Sequence, residues 1–194
     1  MLKVIGIVAV VLVVAVTLFI RSRPDRFRVE RSAEIHAPPD AVFAHINDFH
    51  RWGQWSPYEK LDPNLVRRFE GPSSGAGAVY AWSGNSKAGE GRMTILESRP
   101  GERVAIKVEF FKPFAATNQA TFTLVPSGTG TRVTWSMEGE NTVMGKAISA
   151  FMDMDTLLGK NFEEGLANLD SVVRAGTQKA ATDSAPQGAP AVAL

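Results

Sequence analysis

From Leu2 to Ile20 the chain is almost unbroken Val, Ile, Leu, Ala and Phe, interrupted only by Lys3, Gly6 and Thr17. A run of about twenty apolar residues crosses a bilayer as a helix, and the polar face of a soluble core helix is missing here. A cleaved signal peptide is the rival reading. It needs a short apolar region and a small-x-small site, whereas this run continues to Phe19-Ile20 and meets arginine, which favours an uncleaved anchor over residues 1–21.

The pattern then changes period. Phe27, Val29, Ala33 and Ile35 alternate with Arg28, Glu30, Ser32 and Glu34, the mark of a half-buried strand, although Arg31 interrupts its apolar face. Ala37-Pro38-Pro39-Asp40 leads into a short helix carrying Ala41, Val42, Phe43 and Ile46, capped by Asp40 or a neighbour. Phe49, Trp52 and Trp55 follow in a turn-rich segment that ends at Ser56-Pro57 and reads as a packing lid able to close a pocket mouth. Period-two stretches recur at 65–69, 79–83, 90–98, 104–111, 116–125 and 132–138, separated by Gly-, Pro- and Ser-rich turns. Last comes a three-four spacing: Met144, Ile148, Phe151, Leu158, Phe162, Leu166, Leu169 and Val173, one face of a long helix from Val143 to Arg174, capped by Asn141 or Thr142.

One acid falls on that apolar face. The step from Phe151 to Leu158 passes over Asp155. Either the helix breaks there and Asp155 caps a second segment starting at Thr156, which is the favoured reading, or the helix is continuous and Asp155 looks into a polar pocket. The chain thus divides into an anchor (1–21), a basic linker (22–26), one domain (27–175) and a tail (176–194) whose Ala-, Gly-, Pro-, Ser- and Thr-rich composition predicts disorder.

Charge and composition narrow the functional classes. A net charge of +1 and the absence of a basic stripe argue against nucleic acid as a partner. With no cysteine, thiolate catalysis and cysteine–zinc sites are excluded. The three histidines, His36, His45 and His50, have no ligand spacing, so no metal or other cofactor is expected. The Gly71–Gly77 loop lacks the ending and the helix of a phosphate loop. Arg21, Arg23, Arg26, Arg28 and Arg31 follow the anchor and only Lys3 precedes it, which predicts a single-pass protein of the cell membrane with its domain on the cytoplasmic side.

The order strand, short helices, antiparallel strands, long C-terminal helix resembles the START-like superfamily, and within it the small bacterial proteins of the polyketide cyclase/dehydrase, or SRPBCC, type. The residues that carry the likeness are Arg31 to Pro39 with Val42-Phe43, Phe49 through Trp52 to Trp55-Ser56-Pro57, Gly89-Glu90-Gly91, Arg132-Val133-Thr134-Trp135, and Phe162 to Leu169. The resemblance implies an α+β helix-grip fold, a curved antiparallel sheet of about six or seven strands around the long helix, with a deep cavity for lipids, polyketides, sterols or similar molecules. It supplies no catalytic motif.

The sheet face expected to look inward offers Tyr80, Trp82, Met93, Phe110, Asn118, Phe122, Trp135 and Met137; the helix adds Phe151 and Asp155. Aromatic rings and methionines suit an apolar ligand, and a few polar atoms orient it. The first functional reading is therefore a membrane-anchored module that binds a lipid- or polyketide-like molecule. A cyclase/dehydratase-type enzyme with Asp155 as base beside Tyr80 is the alternative, and a protein-interaction or chaperone-like domain with a filled core is a third.

Overall fold

A computed structural model of the chain describes residues 2–141, 145–146 and 154–183. Helix α1 (Leu2–Arg21) is exposed along almost its whole length and leads through residues 22–25 into strand β1 (Arg26–Ile35). Helix α2 (Pro39–Ile46) and two 3-10 turns (Phe49–Gln54 and Pro57–Lys60) come next, then six strands: β2 (Val66–Glu70), β3 (Val79–Ser83), β4 (Glu90–Arg99), β5 (Arg103–Lys112), β6 (Ala116–Ser127) and β7 (Gly130–Glu140). Helix α3 (Met154–Asp183) ends the described chain.

All seven strands form one antiparallel sheet in the order β1-β7-β6-β5-β4-β3-β2. Hairpins link neighbours from β2 to β7, while β1 pairs with β7 and closes the other edge. The alternation in β1 survives intact: Val29 and Ile35 are buried, Arg28, Glu30, Ser32 and Glu34 are exposed. Helix α2 has Pro38 as its N-cap, with proline in the first turn and Asp40 beside it, where a fixed backbone angle and a negative charge both suit a helix start. A register shift between Ile95 and Glu97 leaves Leu96 bulged and exposed, a local bend that helps a sheet curl.

Along α3 the spacing read from sequence becomes packing. Phe162, Leu166, Leu169 and Val173 are all buried against the sheet, and Leu158 is half-buried. Met144, Ile148 and Phe151, together with Thr142, lie outside the described residues. The helix runs on to Asp183, so residues 176–183 are helical where composition predicts disorder. Gln178, Lys179, Ala180 and Ala181 are good helix formers; a solvent-facing extension of a helix already nucleated by packing needs no apolar stripe of its own.

Arg31, which breaks the apolar face of β1, has a structural answer. It is half-buried and reaches α3, donating from Nη2 to Asp155 Oδ2 at 2.8 Å and from Nε to Glu163 Oε1 at 2.8 Å. Asp155 stands in the first turn of α3, where an acid complements the helix dipole. Its carboxylate is 59% exposed.

Candidate functional site

Between the sheet and α3 lies a cavity of about 230 Å³. Its sheet wall comes from five neighbouring strands: Tyr80 and Trp82 on β3, Met93 on β4, Val108 and Phe110 on β5, Ala120 on β6, and Trp135 and Met137 on β7. Every one of these points to the same face because side chains alternate along a strand. The Tyr80 and Trp82 rings stack at 6.2 Å, and Phe110 meets the Trp82 ring edge-on at 5.8 Å. Trp82 can lie flat because Gly91 is opposite it: a Cβ there would sit 2.5 Å from the indole. Leu158 covers the cavity from α3, and Trp52, Ser56, Tyr58, Glu59, Leu61 and Leu65 border it from the segment between α2 and β2.

One charged group on this lining is buried. The Glu59 side chain, 7% exposed, accepts a hydrogen bond from Tyr80 Oη at 2.6 Å and an ion-paired one from Arg67 Nε at 2.7 Å. Burial, and then the adjacent Glu59 carboxylate, raise the pKa of the Tyr80 hydroxyl above its usual value. Burial likewise pushes Tyr58 up to about 12. The site therefore has a carboxylate whose acceptor capacity is partly used and a phenol held in its neutral form.

Most of the residues expected from sequence meet here: Tyr80, Trp82, Met93, Phe110, Trp135 and Met137 share the lining. Phe122 faces the same way but is fully buried beneath Trp52, Trp55 and Trp135, so it supports the wall without forming it. Asn118 continues the same row on β6 beyond the described lining, with its amide 4.0 Å from the Met137 sulfur. Asp155 is outside the cavity, on the exterior with Arg31, and the guanidinium holds its pKa below the ordinary carboxylate range. Phe151 is outside the described residues. The histidines are apart from the cavity; among the described residues no group of three or more acids and histidines is placed to hold a metal.

What sequence reasoning missed is the stretch from Ser56 to Leu65. It has no period and lies between recognisable elements, so nothing in its pattern marks it as a wall. Trp52 and Trp55 were legible as a lid, and Trp52 does border the cavity, but Trp55 is fully buried behind it. The one available signal was a titratable pair, Tyr58-Glu59, directly after Ser56-Pro57.

Comparison with known proteins adds a family. The family model described as polyketide cyclase / dehydrase and lipid transport matches residues 26–174. No curated protein is a significant sequence match. Among solved structures, the chain is similar to protein CV1439 from Chromobacterium violaceum, with 19% identity, a TM-score of 0.54, and coverage of 78% of this chain and 98% of that one. A protein from Rhizobium leguminosarum is similar at 13% identity and a TM-score of 0.56, covering 77% and 95%. DynU16, from the dynemicin biosynthetic locus, is similar at 16% identity and a TM-score of 0.54, covering 79% of this chain and 49% of that one. At these identities the likeness is one of fold.

Proposed function

Since the chain belongs, over residues 26–174, to the polyketide cyclase / dehydrase and lipid transport family, we propose that it is a membrane-anchored module that binds a hydrophobic, lipid- or polyketide-like small molecule between sheet and helix. The observation that carries this reading is the cavity itself: about 230 Å³ lined by aromatic, methionine and aliphatic side chains on a rigid sheet. A filled core, as an interaction or chaperone domain would have, leaves no such space. The volume falls just below the range of about 300–1,000 Å³ common for small-molecule pockets. It suits one ring system or a short chain segment, not a whole diacyl lipid.

The N-terminal helix supports delivery from a bilayer. Lys3–Arg21 is long and apolar enough to cross a membrane, and none of it is buried against the domain. Residues 22–25 connect it to β1 and, fully extended, reach at most about 14 Å. A cavity tethered so closely meets membrane-dissolved ligand at a high effective concentration. Arginines at 21, 23 and 26 favour the cytoplasmic side by the positive-inside rule; Arg28 and Arg31 are engaged by acids of the domain and count for less.

The test is extraction of ligand from the full-length protein purified in mild detergent, with mass spectrometry against a matched membrane-protein control. A stoichiometric apolar molecule is expected, lost on Trp82→Ala. Recovery of control lipids alone, from wild type and variant alike, would sink the reading.

A specific observation favours a second reading, a cyclase/dehydratase-type enzyme. Glu59, not Asp155, is the acid that meets Tyr80 at the cavity. A buried carboxylate is suited to take a proton and a neutral phenol to give one. Glu59→Gln would then abolish turnover of a bound substrate while the substrate still binds; unchanged turnover would exclude it.

A further inference from the structure

Polar atoms buried in proteins almost always find partners, and three of the four tryptophans follow the rule. Trp52 donates its indole N–H to Ile46 O at 3.0 Å, Trp55 to His45 O at 3.3 Å and Trp82 to Ala88 O at 3.0 Å. Trp135 does not. Its Nε1 is buried and has no hydrogen-bond partner among the described residues. Four more buried atoms share that condition among the described residues: Arg23 Nε and Glu97 Oε1, which lie away from the cavity, and Ser56 Oγ and Tyr58 Oη, which do not. Trp135, Ser56 and Tyr58 all line the cavity described above; the Asn161 amide beside Tyr58 lowers the phenol's pKa, as a donor to its oxygen does, and leaves the O–H still to be placed.

Their grouping has a structural basis. Tyr58 meets the Trp135 indole edge-on, with centroids 6.3 Å apart. Trp135 is clamped in place by Phe162, stacked at 4.2 Å, so its N–H cannot swing toward another acceptor. Ser56, 1% exposed, precedes Tyr58 by two residues in the same wall. An indole N–H only donates, and the two hydroxyls can donate. The shared need of this cluster is an acceptor.

Resting on the binding-module reading, we propose that the ligand presents a neutral carbonyl-type oxygen, as in a ketone, ester or quinone, to a donor cluster of Trp135 Nε1, Ser56 Oγ and Tyr58 Oη. The charges of the lining select neutral over anionic. Glu59 already places a carboxylate on the cavity, and Arg67 is committed to it. The only cation on the described lining is Lys87, which is exposed at the rim. A ligand carboxylate at the donors would be buried without a counter-ion, which is costly; a carbonyl accepts the same hydrogen bonds with no charge to bury.

The experiment compares acetylnaphthalene, ethylnaphthalene and naphthoate, matched in substitution, as probes of the full-length protein in detergent, corrected against protein-free micelles. Calorimetry gives affinities, and the infrared carbonyl band of acetylnaphthalene reports hydrogen bonding. Acetylnaphthalene is expected to bind about tenfold more tightly than ethylnaphthalene, roughly 1.4 kcal/mol, with its carbonyl band moved to lower frequency. Ser56→Ala and Tyr58→Phe, which change little volume, and Trp135→Phe should each pull that ratio toward unity. Equal affinities for the ketone and the hydrocarbon would overturn the donor cluster and leave the cavity as a purely apolar site. Tighter binding of naphthoate would overturn the neutral class, and a ratio unmoved in all three variants would overturn these donors. Binding of none of the probes would instead overturn the binding-module reading on which the proposal rests.

Discussion

Replacing Gly165 by alanine sets two effects against each other in the middle of α3. Alanine is favoured over glycine in a helix interior by about 0.8–1 kcal/mol. The added methyl, however, would lie 2.7 Å from Trp135 Cζ3 and 3.2 Å from Pro57 Cδ, well inside ordinary carbon–carbon contact at about 3.5–4 Å. The indole cannot yield: Phe162 stacks on it at 4.2 Å, Phe122 lies 4.8 Å away and Trp55 abuts it at 5.8 Å. Overpacking a fixed core costs roughly 1–3 kcal/mol, so the clash should win. Gly176 supplies the control, being in the same helix with nothing within 4 Å of a Cβ. Propensity cancels between the two variants apart from end fraying, so Gly165→Ala should fall below Gly176→Ala by about 1–3 kcal/mol. For a domain of this size each kcal/mol moves Tm by roughly 2–4 °C. Gly159→Ala tests a different contact, because its methyl would meet the Arg31 guanidinium, which can move only by giving up its bonds to Asp155 and Glu163. Thermal denaturation of the full-length protein in detergent, followed by circular dichroism, reads all three. If Gly165→Ala is stabilised as much as Gly176→Ala, the close approach of α3 to Trp135 is wrong.

Both tyrosines of the chain have raised pKa values, Tyr58 up to about 12. At pH 11 absorbance near 295 nm should therefore show only about a tenth of Tyr58 ionised in the folded protein, against about nine-tenths of both rings once urea is added. The stability tied to these rings is whole below pH 10 and lost as pH rises through the folded values; early, full ionisation without unfolding would contradict their burial. Glu59→Ala leaves Tyr80 Oη and Arg67 Nε without their carboxylate acceptor, while Arg67 keeps the Leu65 and Glu59 backbone carbonyls, and should cost about 1.5–3 kcal/mol by chemical denaturation; a double-mutant cycle with Tyr80→Phe should show coupling, and strict additivity would deny the hydrogen bond. Asp155 has a pKa lowered by Arg31, so its contribution is present above the usual carboxylate pKa of about 3.9 and fades as pH falls through the lowered value. The gap in urea midpoint between wild type and Arg31→Met should accordingly narrow from pH 7 to pH 3, and a gap that widens would refute the pairing.

The cavity shows how far pattern reaches. Tyr80 and Trp82, or Trp135 and Met137, fall on one face because a strand has period two, so an inward row can be read without knowing the strand's neighbours. Pattern did not show how deep each residue sits. Phe122 and Trp135 are directly paired across β6 and β7, yet one supports the wall and the other forms it, since the aromatic cluster of Trp52 and Trp55 closes over Phe122. Nor could it assign the acid. Asp155 and Glu59 are alike in type, and the helical period drew attention to Asp155 while Glu59 stood in a turn of no period. Arg31 at the sheet edge draws Asp155 outward, and Tyr80 with Arg67 holds Glu59 in.

Local periodicity thus carried the element types, the antiparallel sheet, the apolar helix at the N-terminus and the buried stripe of α3, because each depends on residues a few positions apart. The cavity, the Glu59–Tyr80 contact and the unpartnered donor cluster belong to the tertiary structure. They join residues 56–59, 80 and 135, distant in sequence and brought together only when the sheet curls and α3 packs across it. Hydrogen bonds and empty space depend on distances of tenths of an ångström, which no spacing along the chain encodes.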